Sequence, residues 1–217
     1  MDFADTISIF PLPNVVLFPQ VELPLHIFEP RYREMVTDAM DGDHLIGMVL
    51  LRAGWREAAG GPPAIYPIGC VGRIEKYDLV EDGRSNLVLH GQRRFEVKEE
   101  LEGKPYRRAR VEWAPMPSTD NDERVRDRLR TCVIGLLERA GKTGPGEIWD
   151  RLPKEWTKLV NLLAFGLPLK EVEKMALLEC TGCAARAERM IEILEFRLAE
   201  HQSRNSSGSS GSGESWH

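Results

Sequence analysis

The sequence lacks long apolar runs and has few cysteines. No apolar run approaches the roughly 20 residues that a helix needs to span a bilayer. The opening residues, MDFADTIS, are acidic and include no apolar signal region. Four cysteines in 217 residues are too few for a disulfide framework. We therefore expect a cytoplasmic protein that does not bind membranes.

An excess of basic residues is also missing. The chain has 29 Lys and Arg residues against 34 Asp and Glu residues, which gives a formal net charge of −5. Generic nucleic-acid binders usually carry a basic excess. The composition therefore disfavours nucleic acid as a partner and is typical of an ordinary globular protein with a substantial core.

Motifs for catalysis are missing as well. Residues 138–144, ERAGKTG, look like a phosphate-binding loop, but that motif needs a glycine five residues before Gly141, where the chain has Leu136. We predict that this segment ends a helix and begins a loop. No Gly-x-Ser-x-Gly, no Ser/His/Asp order and no paired acidic motif is present. The prediction is a protein that is not an enzyme and has no catalytic residues.

The C-x-x-C formed by Cys180 and Cys183 is the one thiol motif. Two thiolates at this spacing could share a zinc ion or form a disulfide. A structural zinc needs two more ligands, and the chain has no second C-x-x-C and no H-x-x-x-H. We predict small packing residues at a helix–helix turn, with no metal and no cofactor, and leave a redox or metal role open.

A proline-rich apolar segment, residues 9–36, is the most informative feature that is present. Its prolines stand at positions 11, 13, 19, 24 and 30. Each proline fixes φ, removes an N–H donor and pushes the preceding residue toward extended geometry. The segment therefore predicts short extended pieces packed against a core. A helix should begin at Pro30 and end at Gly42 in the left-handed C-cap conformation.

Strand patterns follow this segment, and helix patterns come afterwards. The run at 45–51 is continuous and apolar, and residues 70–80, 87–97 and 109–113 read as further strands. In the strand at 87–97 one face is predicted to hold Leu87, Leu89, Gly91, Phe95 and Val97. Arg93 falls on that face, so alternation fails there or a bulge resets it.

From residue 119 onward, apolar residues recur at helical spacing in four stripes, the second of which can start at Pro153. Strands followed by helices indicate an α+β fold. We predict a β-rich subdomain with one helix at 5–117, a four-helix bundle at 118–202, and a disordered Ser/Gly-rich tail at 203–217.

Three segments resemble a known family. IFPLPNVVLFP with LPLHIFEPRYREMV comes first, then PIGCVGRIEKYDLVEDGRSNLVLHGQRRFEV (67–97), then LVNLLAFGLPLKEVEKMALLE (159–179). They resemble the Lon-type substrate-binding domain, which is the N-terminal domain of the ATP-dependent protease Lon. The similarity covers most of residues 7–198.

The resemblance implies a fold and a function. The fold would be a small β-barrel-like subdomain similar to PUA domains, followed by helices. The function would be non-catalytic binding of unfolded or extended polypeptide, or of a partner protein, with an adaptor or chaperone-like role in protein quality control. Lon also has an ATPase and a Ser-Lys peptidase module, and neither fits in this chain, so we expect a standalone binding domain.

Two groups of residues are candidates for contact. Polypeptide would bind through apolar side chains around the prolines: Phe18, Leu25, Phe28 and Tyr32. Polar or basic contacts would come from the sheet: His90, Arg94, Arg107 and Arg108. An exposed apolar groove beside the proline-rich segment would favour polypeptide binding. The alternatives are RNA binding by a PUA-like domain and, by family name only, membership of an ATP-dependent protease. The oligomeric state stays open.

Overall fold

A computed structural model describes residues 4–56, 61–115 and 122–207, with side chains through residue 200. It contains six strands and six helices in these ranges. The strands are β1 (Thr6–Leu12), β2 (Glu22–Ile27), β3 (Leu45–Leu51), β4 (Ile65–Leu79), β5 (Ser85–Leu101) and β6 (Arg108–Trp113). The helices are α1 (Pro30–Asp41), α2 (Glu123–Arg139), α3 (Pro145–Asp150), α4 (Trp156–Gly166), α5 (Glu171–Glu179) and α6 (Cys183–Ser207).

The six strands form one mixed sheet in the order β2-β5-β4-β3-β1-β6. Strands β1 and β3 pair in parallel, and the other pairs are antiparallel. Because β5 also pairs with β6, the pairings β5–β4–β3–β1–β6–β5 close on themselves, and we call these five strands the strand circuit. Strand β2 lies outside the circuit and pairs with residues 85–90 of β5. This mixed sheet with helices agrees with the predicted α+β class. The narrower likeness to PUA domains stays a prediction.

The proline-rich segment contributes short extended pieces, as predicted, in strands β1 and β2, and each of these strands contains one of its prolines. Pro24 lies in the edge strand β2, where a residue without an N–H is tolerated. Helix α1 begins at Pro30 and ends at Asp41, which confirms the predicted helix. The predicted left-handed conformation at Gly42 is wrong, since its φ is −114°. The left-handed residue is His44, with φ 61°, whose N–H donates to the carbonyl of Ala39.

Strand β5 contains the predicted irregularity. Gly91 pairs with Gly72 and Arg93 pairs with Val71, so Gln92 is an extra residue on β5. An extra residue shifts the alternation by one and exchanges the two faces of the strand. Leu87 and Leu89 therefore belong to the larger core of the molecule, and Phe95 belongs to a separate smaller core. The predicted bulge is confirmed, but the single apolar face that joined Leu89 to Phe95 and Val97 is wrong.

The two cores occupy different places. The smaller core lies among the strands of the circuit and consists of Ile7, Ile9, Leu45, Val49, Val71, Phe95, Ala109 and Val111. The larger core joins the sheet to the helices, because Phe18 and Leu89 belong to the same buried cluster as Val160, Leu177 and Ile191. The sheet and the helices are therefore packed on one shared core. The predicted boundaries at 117 and 202 stay predictions, and residues 116 and 117 lie outside the described ranges.

Residues 122–207, the described part of the chain after the sheet, contain five helices rather than the four predicted, so the four-helix bundle is not confirmed. The additional helix is the short α3. Helix α6 packs against α2, α4 and α5. Helix α4 begins at Trp156 rather than near Pro153, because Glu155 caps it through the N–H groups of Thr157 (3.0 Å) and Lys158 (3.2 Å).

The ends of the helices test two further predictions. Helix α2 ends at Arg139 and Gly141 has φ +68°, so the segment ERAGKTG is a helix end followed by a loop, as predicted. Helix α6 continues to Ser207, past the predicted helical limit at 202. Residues 208–217 of the predicted tail lie outside the described part of the chain. None of the described helices combines the length and apolar character that a membrane span requires.

Candidate functional site

The four apolar residues predicted to contact polypeptide do not share one surface. Phe18 is 0 % exposed, and the guanidinium of Arg186 lies 5.5 Å from the centre of its ring. Tyr32 is 6 % exposed and its ring packs 4.3 Å from that of Phe10. Leu25 is half-buried, and only Phe28, at 59 %, is well exposed. In this structure Phe18 and most of the Tyr32 side chain therefore pack in the core, and only the small exposed part of Tyr32 lines a groove. Phe28 and Leu25 are the more accessible candidates.

A groove lies beside the proline-rich segment, where the sequence argument looked for one. It has a volume of about 660 Å³ and runs between the end of β1, the start of α1 and the turn from β5 to β6. We call it the proline groove, since prolines and aromatic residues dominate its apolar lining. These residues are Pro11, Pro13, Pro62, Pro63, Pro105, Tyr32, Trp55 and Tyr106.

Each basic residue that lines the proline groove is paired with a carboxylate. Arg31 lies 2.8 Å from Glu29, and Arg107 lies 2.5 Å from Glu100. Arg107 also donates to the carbonyl of Pro63 at 2.8 Å, which fixes its side chain along the groove. Because these positive charges are offset locally, the groove suits apolar contacts better than the capture of a polyanion.

Asp38 holds the far wall of the groove in place. Its carboxylate accepts hydrogen bonds from Lys104, at 2.7 Å, and from the hydroxyl of Tyr106. These two bonds, that of Lys104 first, lower the pKa of Asp38. Burial, together with the bond to Asp38, raises the pKa of Tyr106. The tyrosine thus stays a neutral donor that ties helix α1 to the segment before β6.

The four predicted polar residues are distributed over two places. Arg107 lines the proline groove, and the half-buried Arg108 is next to it at the start of β6. His90 lies on β5 before the bulge, with its Nδ1 2.9 Å from Nε2 of Gln92. Arg94 follows the bulge and lines a separate cavity. The structure therefore does not bring these four residues together.

The separate cavity lies between the β5 bulge and the helices, and we call it the arginine cavity. It has a volume of about 340 Å³. The lining residues are Pro19, Gln20, Gln92, Arg93, Arg94, Pro115, Thr157, Asn161, Thr181, Gly182 and Arg186. It shares no lining residue with the proline groove.

Arg186 and Asn161 are the residues that sequence reasoning missed. Arg186 is 4 % exposed and Asn161 is 0 % exposed. The sequence contained a signal for Arg186, since it lies on the buried side of α6, between Cys183 and Met190 in the apolar stripe. A charged residue on such a stripe is unusual unless it has a partner. Nothing comparable in the sequence singles out Asn161.

The C-x-x-C lies at the junction of α5 and α6, as predicted for a helix–helix turn. All four cysteines are free thiols. Cys183 is 1 % exposed and Cys180 is half-buried, and burial raises the pKa of both thiols. Within the described residues, no group of three or more His, Cys, Asp or Glu side chains is arranged to hold a metal ion.

Comparison with known proteins identifies the family. The family profile described as "ATP-dependent protease La (LON) substrate-binding domain" matches residues 6–195. The Lon protease of Parabacteroides distasonis is 29 % identical over 206 residues, which are 90 % of this chain and 24 % of that protein. Lon protease 2 of Myxococcus xanthus is 28 % identical over 203 residues, 89 % of this chain and 24 % of that protein. The chain thus spans about a quarter of the length of these relatives.

Solved structures agree with the sequence comparison. The crystal structure of a Lon N-terminal domain protein from Xanthomonas campestris superposes with a TM-score of 0.65 at 26 % identity and covers 86 % of this chain and 97 % of that one. The N-terminal domain of the Mycobacterium avium complex Lon protease has a TM-score of 0.64 at 14 % identity, covers 90 % of this chain and 99 % of that one, and supports the fold alone. This chain belongs to the LON substrate-binding domain family, and the resemblance drawn from its sequence is confirmed.

Proposed function

We propose that this chain binds extended segments of other proteins in the proline groove. The observation that carries the proposal is the groove itself, about 660 Å³ in volume and lined by prolines and aromatic rings. The family to which the chain belongs is described as substrate-binding, which supports the same reading. The groove also lies beside the proline-rich segment, where an exposed apolar groove favours polypeptide binding over the alternatives.

The chemistry of the groove favours polypeptide over a polyanion. Prolines and aromatic rings present flat apolar surfaces that lose little conformational freedom when a partner covers them. Aromatic-lined grooves of this kind bind extended chain segments. The paired charges of Glu29 and Arg31 at one side, and of Glu100 and Arg107 at another, can supply hydrogen bonds while each pair offsets its own charge.

We include the exposed Phe28 in the proposed contact surface, although it does not line the groove itself. It is 59 % exposed and directly precedes Glu29, which lines the groove. The ring of His26 lies 6.1 Å from that of Phe28, stacked against it. An extended segment leaving the groove past Glu29 would meet these two rings, with the half-buried Leu25 on the same edge strand.

The role we infer is recognition without chemistry. A module that holds an unfolded or extended polypeptide can act as an adaptor or chaperone-like factor in protein quality control, or deliver substrates to an ATP-dependent protease. RNA binding is the less favoured alternative, because Arg107, just before β6, and Arg110, within it, each pair with a glutamate.

Fluorescence anisotropy with a labelled, permanently unfolded protein, such as reduced and carboxymethylated lactalbumin, tests the proposal. Trp55→Ser and Phe28→Ser should each weaken binding about five- to thirtyfold, the usual effect of removing a buried aromatic contact. Phe196→Ser is the matched control, because Phe196 is 65 % exposed on α6 outside the groove. Equal affinities for the parent, the groove variant Trp55→Ser and the variant Phe28→Ser would refute the proposal. Stronger, steeply salt-dependent binding of RNA would favour the alternative.

A further inference from the structure

Two of the arginines that line the arginine cavity, the buried Arg186 and the half-buried Arg94, have no carboxylate partner in the described part of the chain. Arg186 donates from Nε to the carbonyl of Leu177 at 2.8 Å and from Nη1 to Oδ1 of Asn161. Arg94 donates to the carbonyls of Cys180 and Glu179. All of these acceptors are neutral. Among the ion pairs of the described residues, none includes Arg94 or Arg186.

The positive charge of Arg94 acts on the guanidinium of Arg186. Burial, and next the positive charge of Arg94, lowers the pKa of Arg186 to about 10. Both groups are still cationic at neutral pH. Negative charge on the thiols of Cys183, Cys180 and Cys70 would raise the pKa of Arg186 again. Burial raises the pKa of each of these thiols. The thiols are therefore neutral at neutral pH and do not offset the charge of Arg186. An uncompensated buried charge is costly, and two adjacent ones are more so.

Two further donors, on residues that line the cavity, lack acceptors. Asn161 must direct its oxygen at Arg186, because a guanidinium only donates. Its Nδ2 then has two N–H donors, is buried and has no hydrogen-bond partner. Nε of Arg94 is likewise buried without a partner. Buried donors are nearly always satisfied in folded proteins, so these two atoms require an explanation.

The backbone beside the cavity is also unusual. Gln20 has φ 63°, a conformation that a residue with a side chain rarely adopts. Its N–H donates to the carbonyl of Gly91 at 2.7 Å, which holds this strained residue against the β5 bulge. The bulge and the strained residue together place Pro19 and Gln92 on the cavity wall. Strained residues and bulges often occur where a ligand binds.

We propose that the arginine cavity is a binding site for a carboxylate, held by Arg94, Arg186 and Asn161. A carboxylate accepts from both guanidinium groups and from an amide, and it supplies the negative charge that the cavity lacks. Pro19 and Pro115 form apolar walls, which suit a carboxylate on an apolar stem. The volume of about 340 Å³ admits one small group at the lower end of ligand-site sizes.

The carboxylate has two possible sources. It is either a free small organic acid or the C-terminal carboxylate of a polypeptide, and only the second rests on the proposed function. The arginine cavity and the proline groove share no lining residue. A failure of carboxylate binding in the cavity would therefore not contradict polypeptide binding in the groove, and the reverse also holds.

Side-chain ¹H–¹⁵N NMR of the arginine Nε–H groups tests the site, with N-acetylphenylalanine as the probe and its primary amide as the control. The acid should shift the resonances of Arg94 and Arg186, and the amide should not. Arg186→Met should weaken binding at least about tenfold, which is the usual effect of removing a hydrogen bond to a charged group. Arg128→Met removes an exposed arginine that pairs with Glu195 on the helices, and it should bind the acid like the parent.

Two further arms complete the test. If Arg186→Met is unfolded by circular dichroism, Arg94→Met replaces it, because Arg94 is only partly buried. A tripeptide ending in phenylalanine that binds tighter than N-acetylphenylalanine, and whose amidated form does not bind, supports a polypeptide C-terminus. Equal affinities of the tripeptide and N-acetylphenylalanine support a small acid. Absence of any shift with the acids, or a shift with inorganic phosphate alone, would overturn the proposal.

Discussion

Gly91 joins the proline-rich segment to the sheet, and its replacement by alanine should destabilise the whole fold. The N–H of Gly91 donates to the carbonyl of Val21 at 2.9 Å, and its carbonyl accepts from the N–H of Gln20 at 2.7 Å. A Cβ at this position would lie 2.0 Å from the carbonyl oxygen of Phe18 and 3.2 Å from Cα of Pro19. Both contacts are with backbone, so no side-chain rotation can relieve them.

The magnitude follows from that geometry. Ordinary contact begins near 3.4 Å, so the backbone at Phe18 must move by about 1.4 Å from its present 2.0 Å. Overpacking of this kind typically costs about 1–3 kcal/mol. The displacement also weakens two backbone hydrogen bonds, each worth about 0.5–1.5 kcal/mol. Gly91→Ala should therefore lower the free energy of unfolding by about 2–6 kcal/mol, a large part of the stability of an ordinary domain.

Urea denaturation followed by circular dichroism measures the change. Gly146→Ala is the matched control, because a Cβ at Gly146 meets nothing within 4 Å. Gly146 lies inside α3, where alanine should leave the stability unchanged or raise it by up to about 1 kcal/mol. A Gly91→Ala variant within about 0.5 kcal/mol of the parent would refute the reasoning, because it would mean that the segment is not held against β5 at this point.

Three further predictions concern the core, a helix end and a thiol. Phe95→Ala should cost about 3–5 kcal/mol in urea denaturation, because the ring is 0 % exposed and fills the smaller core; a loss below 1 kcal/mol would contradict that role. Glu155→Ala removes the cap of α4 and should cost about 1 kcal/mol, whereas Lys154→Ala, next to it, should cost less. Burial raises the pKa of Cys70 to about 12 from 9.0, so above pH 9 the unfolded chain loses this proton and the folded one keeps it. The free energy of unfolding should then fall by up to about 1.4 kcal/mol per pH unit between pH 9 and 12, and a Cys70→Ala variant with an equally steep fall would contradict the assignment.

The parts of the fold that the sequence predicted depend on local chemistry. A proline suits the first turn of a helix, and a stripe of apolar residues at helical spacing follows Pro30, so the start of α1 was predictable. Strand periodicity is also a local property of the sequence. The continuous apolar run of β3 and the failed alternation at Arg93 could therefore be recognised from the sequence. Helix α3 was missed because its six residues, PGEIWD, are too few to show a helical period.

The side on which a residue lies was harder to predict. Phe95 was assigned to the face of Leu89, because the sequence indicated a bulge without showing which residue it inserts. Phe18 was expected to contact polypeptide, because apolar residues among prolines look alike whether they face a groove or a core. Burial depends on what packs against the residue, and for Phe18 that neighbour is Arg186, distant in the chain.

The candidate site required tertiary structure for the same reason. Arg94 was identified from the sequence as a polar candidate, but its neighbours in the cavity come from α4 and α6. The carbonyl of Cys180 that it contacts is 86 residues away along the chain. No local pattern joins residues at that separation, so the arginine cavity could not be predicted from the sequence.

The strand circuit has a consequence for how the chain reaches this structure. The strand at the start of the chain, β1, pairs on one side with β6, and Ile7 lies opposite Ala109, roughly 100 residues later. Until residues 108–113 are available, that edge of β1 has unpaired backbone groups. Contacts between such distant residues form slowly, and an open strand edge invites pairing with another chain. We therefore expect ordering of β6 to be the late step of folding, and truncations that end before β6 to aggregate rather than fold.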